Sequence, residues 1–262
     1  MSPPNTTRWI GIGLLGLPLY GALTFWSSLN PQPDPSTHYE AWSHFVTTNH
    51  WVLTHVLGTI LGLILAIFGT FALGAYLTTS RAGGLGLVAM IFTVLGSALF
   101  LPAVGVSAFA APEEGQAYLA GIEEFAKLPS IFADTVFAAT SLLVIVLLFV
   151  GNVLLGIAVW RSGTLPRWAG ALWAGAAVLM YPLGLVVAAT VTGSTPPTVL
   201  VGALLIVISG AWMAWAVLGR LSTEAVTAPF IVAAPGSGIR SEQSTLSRLR
   251  RSRPPMLDPS PR

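Results

Sequence analysis

The chain has 262 residues, 54% of them hydrophobic and only 8% charged, with a formal net charge of +2 and a mean hydropathy of +0.76. Soluble domains carry roughly 25% charged residues, so these few charges exclude a water-facing globule and make lipid the solvent for most of the chain. The sequence holds no cysteine, which excludes disulfides, S-palmitoylation, haem c attachment and thiolate metal sites.

Six apolar runs reach the length of about 20 residues that one crossing requires. They cover 9–29, 51–77, 85–111, 131–160, 168–191 and 198–218. Each is expected to be helical, because hydrocarbon offers no partner to an open backbone group and no alternating barrel pattern is present. The first run is read as a retained helix, since no A-x-A-like cleavage site follows it. The fold class is therefore all-α: a polytopic six-helix transmembrane bundle. Residues 1–8 form a short N-terminus, 9–220 the membrane domain and 221–262 a disordered basic tail, with six arginines against Glu242 and Asp258 in its last 23 residues.

Arginines give the orientation. Arg8, Arg81, Arg161, Arg167 and Arg220 flank alternate loops, while Asp34, Glu40, Glu113, Glu114, Glu123, Glu124 and Lys127 occupy the others. The positive-inside rule then expects both termini in the cytoplasm of a multi-pass cell-membrane protein. Trp9, Trp26, Trp51, Trp160 and Trp168 fall at helix ends, as an interfacial aromatic belt requires.

Small residues at four-residue spacing let helices approach in lipid. Gly58 and Gly62, Ala171 and Gly175, and Gly210 and Ala214 are such pairs, expected to pack a bundle or a neighbouring chain. The segment GIGLLG (11–16) matches a dinucleotide fingerprint but lies inside a span with no strand before it, so it carries no cofactor. Pro18, Pro102 and Pro182 are expected to kink or locally open their helices. An 80-residue offset aligns Arg81 with Arg161, Gly83 with Gly163 and Pro102 with Pro182, a weak hint of parallel repeats.

The stretch NHWVLTHVLG (49–58) places two of the four histidines where the second run begins. Residues five apart on an α-helix differ by about 140° around the axis, so His50 and His55 do not chelate one metal ion from a regular helix, and no metal site is expected. His44 and His55 share a face of a continuous helix but lie about 16 Å apart along it. If 37–49 is instead an interfacial piece folded over the bundle, His38 or His44 returns toward His55.

His55 falls inside the apolar run, and Asp134 sits at similar depth on the fourth run. One reading pairs them beneath the outer surface as a binding site with His50 beside it and Asn152 deeper on the inner side. The other lets both reach the headgroups, with Asn152 only joining helices. Ser97, Ser107, Ser141 and Ser209 are expected to bond to neighbouring helices. No G-x-S-x-G, H-E-x-x-H or P-loop pattern is present, so no catalytic residue and no cofactor is indicated, and no nucleic acid is expected as a partner.

The stretches WVLTHVLGTILGLILAIFGTFALGAYL and WRSGTLPRWAGALWAGAAVL resemble a group of bacterial six-helix integral membrane proteins, often actinobacterial or from Chloroflexi, that have no established activity. Trp51 and His55 match an aromatic–histidine pair at the mouth of its second helix. Gly163, Leu165, Pro166, Arg167 and Trp168 match its Gly-x-Leu-Pro-Arg-Trp turn. The resemblance spans about residues 9–220 and implies the bundle alone. The expected role is an accessory or structural subunit or a small-ligand binder, with the bilayer, other membrane subunits or a second copy as partners. A transporter with an outward polar site near His55 and Asp134 is the alternative, and a membrane enzyme or redox protein comes third.

Overall fold

The computed structural model describes residues 3–29, 32–124, 135–190 and 195–227, and for 3–7 and 221–227 the backbone alone. One compact unit covers 1–222; of the second, 223–262, the described part is the end of the last helix. Asp134, Lys127 and the arginines of the tail lie outside the described residues.

Among the described residues helices are the regular structure and no strand occurs. The elements are α1 (Pro3–Leu14), α2 (Gly16–Ser27), α3 (Tyr39–Val46), α4 (Asn49–Leu53), a π-helical turn (Thr54–Leu61), α5 (Gly62–Leu77), α6 (Gly83–Leu119), α7 (Thr135–Ser162), α8 (Arg167–Met180), α9 (Pro182–Ala188) and α10 (Pro197–Thr227). Six helical stretches are long and apolar enough to cross a membrane: Arg8–Ser27, Asn49–Leu77, Gly83–Leu119, Thr135–Ser162, Arg167–Ala188 and Pro197–Arg220. Large apolar side chains such as Phe68, Val186 and Trp215 are exposed on them, which suits a surface that meets acyl chains instead of water.

The three prolines act differently. A proline cannot bond to the carbonyl four residues back and its ring crowds that carbonyl. Pro18 accordingly separates α1 from α2 at Leu15, and Pro182 starts α9 after a break at Tyr181, whose φ of −97° and ψ of −81° are not helical. Pro102 leaves α6 unbroken, as does Pro112. The two arms of the 80-residue offset therefore differ in backbone at their aligned prolines.

At 37 residues and about 1.5 Å each, α6 is about 55 Å long, well beyond a hydrocarbon core of about 30 Å. It stops at Gly121, whose φ of +95° only glycine adopts readily. There the Ile122 N–H donates to Ala117 O and the Gly121 N–H to Tyr118 O, a Schellman closure of the open carbonyls. The projecting end of α6 carries α3, which is separated from α4 by Thr47 and Thr48. Thr48 caps α4, its hydroxyl accepting from Trp51 N–H at 3.2 Å. On α3, Trp42, Ser43 and Val46 are buried, Val46 and the Ser43 carbonyl lie against Gly115, and Tyr39 Oη donates to Glu114 Oε1 at 2.7 Å. Burial and this bond to a carboxylate raise the Tyr39 phenol above its ordinary range. In the connection before α3, hydrogen bonds from the Ser36 hydroxyl and N–H hold the Asp34 carboxyl below its ordinary range.

The principal core fills one half of the bundle. Leu14, Leu17, Leu73, Leu77, Leu155, Val159, Trp173, Met213 and Val217 belong to it, together with Ala82 and Leu165 from the two connections at that end. Backbones approach closely there. A Cβ on Gly156 would meet Gly170 O at 2.6 Å, and one on Gly16 would meet Leu65 O at 2.6 Å. The GIGLLG segment is explained by such approaches: Gly11 faces Leu218, Gly13 faces Ala72 and Gly16 faces Leu65. A smaller aromatic cluster of Trp42, Val46 and Trp51 sits at the opposite end.

Candidate functional site

The ends of the bundle separate the charged residues. Arg220 Nη1 donates to Tyr76 Oη at 3.2 Å, Gly11 packs on Leu218, and Ala82 and Leu165 share one core. Arg8, Arg81, Arg161, Arg167 and Arg220 thus flank the packed half. The four histidines lie at the other end with α3 and α4.

The second span, Asn49–Leu77, begins with an irregular stretch. After α4 the backbone changes from i→i+4 to i→i+5 bonding over Thr54–Leu61; π-turns of this kind recur at functional sites. At the junction the Trp51 carbonyl accepts from Thr54 Oγ1 at 3.0 Å and from His55 Nδ1 at 3.0 Å. The Trp51 ring stacks on the imidazole, centroids 3.8 Å apart at 29°. Trp51 is itself pinned, buried with its indole N–H donating to Ser107 O on α6 at 3.2 Å. A carbonyl only accepts, so His55 Nδ1 carries the hydrogen and Nε2 of the neutral ring is an acceptor.

That imidazole lines a cavity of about 310 Å³, with Thr59, Ser107 and Ser141 as the other polar residues. Thr59, Phe100, Ala103, Phe137 and Ser141 line both this cavity and a larger one of about 760 Å³. The larger chamber is walled by apolar side chains including Leu63, Leu99, Val144 and Met180, with the Tyr20 and Tyr181 phenols among its few polar groups. Pro102 and the broken turn at Tyr181 both lie in its wall.

The sites expected from sequence separate in space. His55 lies in the cavity wall. His50 is exposed on α4 and is not among the residues lining either cavity. Asp134 lies outside the described residues, so the His55–Asp134 pairing has no geometry here. Asn152 belongs to the packed half: its Nδ2 donates to Leu148 O at 2.8 Å and its Oδ1 accepts from Trp173 Nε1 at 3.0 Å, joining α7 to α8. Ser209 bonds to Leu205 O of its own helix at 2.6 Å, not to a neighbour, and Ser141 faces the cavities. His44 and His55 do not share a continuous helix, because α3 ends at Val46. Among the described residues no three metal-ligating side chains come together.

The small-residue pairs also divide. A Cβ on Gly58 would meet Ser27 Cβ at 2.5 Å, and Gly62 is in ordinary contact with Leu23. Gly210 packs against Leu17 and Pro18, with Ala214 buried nearby. Gly175 has nothing within 4 Å and Ala171 is half-buried, so this pair faces outward. Sequence reasoning missed the tightest crossing, Gly156 on Gly170, although Gly170 and Ala174 carry the same four-residue spacing. It also passed over Tyr20 and Tyr181, each close to a span-interrupting proline. Comparison with family models, with curated proteins and with solved structures found no match to this chain.

Proposed function

We propose that this chain is a bacterial plasma-membrane protein, with both termini cytoplasmic, that holds one small lipophilic molecule inside its bundle. The resemblance to bacterial six-helix membrane proteins and the arginine-bearing loops support the location and orientation. The observation that carries the binding role is the chamber of about 760 Å³ with its largely apolar wall, a size and lining typical of small-molecule sites. An accessory subunit that worked only by helix packing gains nothing from such a void, since a bundle without it makes more dispersion contacts.

The transporter reading draws on the hinge at Tyr181, which lies in the chamber wall. Against passage stands the fully buried core of Leu14, Leu17, Leu73, Leu155, Val159 and Met213 on the arginine side. Binding is therefore the reading supported by this conformation.

Purified wild-type protein and the double variant Ala103→Phe/Ser141→Phe test it by solvent extraction and mass spectrometry. The wild type is expected to carry a lipophile at close to one per chain, and the filled variant at least fivefold less at an unchanged melting temperature. Equal loads in two equally folded proteins end the proposal.

A further inference from the structure

Resting on that reading, we infer that the bound molecule is an uncharged amphiphile whose head is a hydroxyl group, alcohol or phenol, donating a hydrogen bond to His55 Nε2. The inference begins with the tautomer. The Trp51 carbonyl takes the Nδ1 hydrogen at 3.0 Å, the stacked indole holds the ring plane, and the indole is tied to α6 through Ser107 O. The imidazole therefore presents a bare lone pair from a position fixed by three contacts. Among the described residues Nε2 has no hydrogen-bond partner.

The neighbouring hydroxyls complete the head site. Thr54 and Thr140, close by in sequence, spend their hydroxyls on carbonyls of their own helices. Thr59, Ser107 and Ser141 line the small cavity with His55, and among the described residues their hydroxyls have no such bond. A hydroxyl is a small neutral head that gives a hydrogen to Nε2 and accepts one from a serine or threonine with the same atom. An ether or ester only accepts, so it offers Nε2 no hydrogen.

Charge is disfavoured. Among the described residues no Asp, Glu, Lys or Arg lines either cavity to pair with a charged head, so a neutral head is the better fit. The volumes match the shape of an amphiphile: about 310 Å³ of partly polar space opens into about 760 Å³ of largely apolar space.

The test uses the full-length protein, delipidated and returned to nanodiscs, with the probe retained per chain above that of empty nanodiscs as the readout. The probes are 1-hexadecanol, hexadecyl methyl ether, palmitate and a 4-alkylphenol of similar length. In the wild type the alcohol or the phenol is expected to bind about tenfold tighter than the ether, and whichever of the two binds better names the source of the hydroxyl. His55→Leu is expected to shrink the preference over the ether to under twofold. His55→Gln, whose amide oxygen reaches about where Nε2 lies, is expected to restore at least threefold. Alcohol, phenol and ether binding alike, or palmitate binding best, overturns the hydroxyl assignment while leaving the lipophile site intact. No binding of any probe, in protein that unfolds at the same temperature as before delipidation, removes the site itself.

Discussion

The two halves of the bundle are built on opposite terms. On the arginine side, backbones touch through glycine: Gly156 on Gly170, Gly16 on Leu65 and Gly210 on Pro18. Leu14, Leu17, Leu73 and Leu155 are wholly buried there. On the histidine side the helices part around two adjoining cavities, the second span loosens into a π-turn, and the fifth is cut at Tyr181. Without a hydrophobic drive between helices in lipid, contact at small residues must hold the whole bundle. The histidine side has such contacts too, Gly58 on Ser27 and Gly115 on the Ser43 carbonyl, but there they leave the two cavities open. On the proposed reading, stability and binding are thus carried by different residues.

The strongest way to break that division is at the α7–α8 crossing. Gly156→Leu puts a side chain into the Gly170 carbonyl and is expected to cost about 3 kcal/mol, the upper range for overpacking, read as a lowered melting temperature in detergent. Gly175→Leu, where nothing lies within 4 Å, is expected to stay within about 0.5 kcal/mol. A large loss at Gly175, accompanied by a change in oligomeric state by light scattering, would instead identify the outward Ala171–Gly175 face as a contact with a second chain.

A smaller effect is expected from Asn152→Leu. It leaves the buried Trp173 indole N–H unpaired and should lower stability by about 1 kcal/mol without changing the lipophile content. Loss of the bound molecule from an equally stable variant would show that the packed half also shapes the chamber.

The least effect is expected at the rim. Tyr39→Phe keeps the ring against Tyr118 and Trp42 but removes the donor to Glu114, for about 0.5 kcal/mol and faster hydrogen exchange in α3. The phenol is raised above its ordinary value of 10.0, so its contribution is fully present below about pH 10 and fades as pH rises through the higher folded value. Relative to the base-catalysed rise in intrinsic exchange, alkali should therefore lower the protection of wild-type α3 and leave that of the Phe variant unmoved. Equal alkali responses would remove Tyr39 as the clasp.

The spans were legible because each is a long uninterrupted apolar run, and hydrocarbon admits only a closed set of backbone bonds. The gathering of Arg8, Arg81, Arg161, Arg167 and Arg220 at one end follows from their alternation between loops. His55 was legible as an imidazole inside an apolar run, out of place by composition. The cavity beside it was not, because the distance between α2, α6 and α7 depends on which faces meet, and lipid-facing and core-facing leucines look alike. The π-turn left no mark in residue types. Pro18, Pro102 and Pro182 read identically, yet only two of them break a helix; neighbouring contacts decide that, not the proline. Gly58, Gly156 and Gly175 likewise share one letter and three surroundings.

The long α6 rod also acts as a depth gauge. At about 1.5 Å per residue, Leu99 stands about 24 Å and Ser107 about 36 Å above Gly83, where the helix begins. With Gly83 taken at the membrane surface, the broad chamber beside Leu99 falls among acyl chains and the His55 pocket beside Ser107 near their boundary with the headgroups. On the proposed reading, a guest seated there would point the same way as the lipids of its own leaflet, head up and tail down. It would exchange with them by sliding sideways, without turning over.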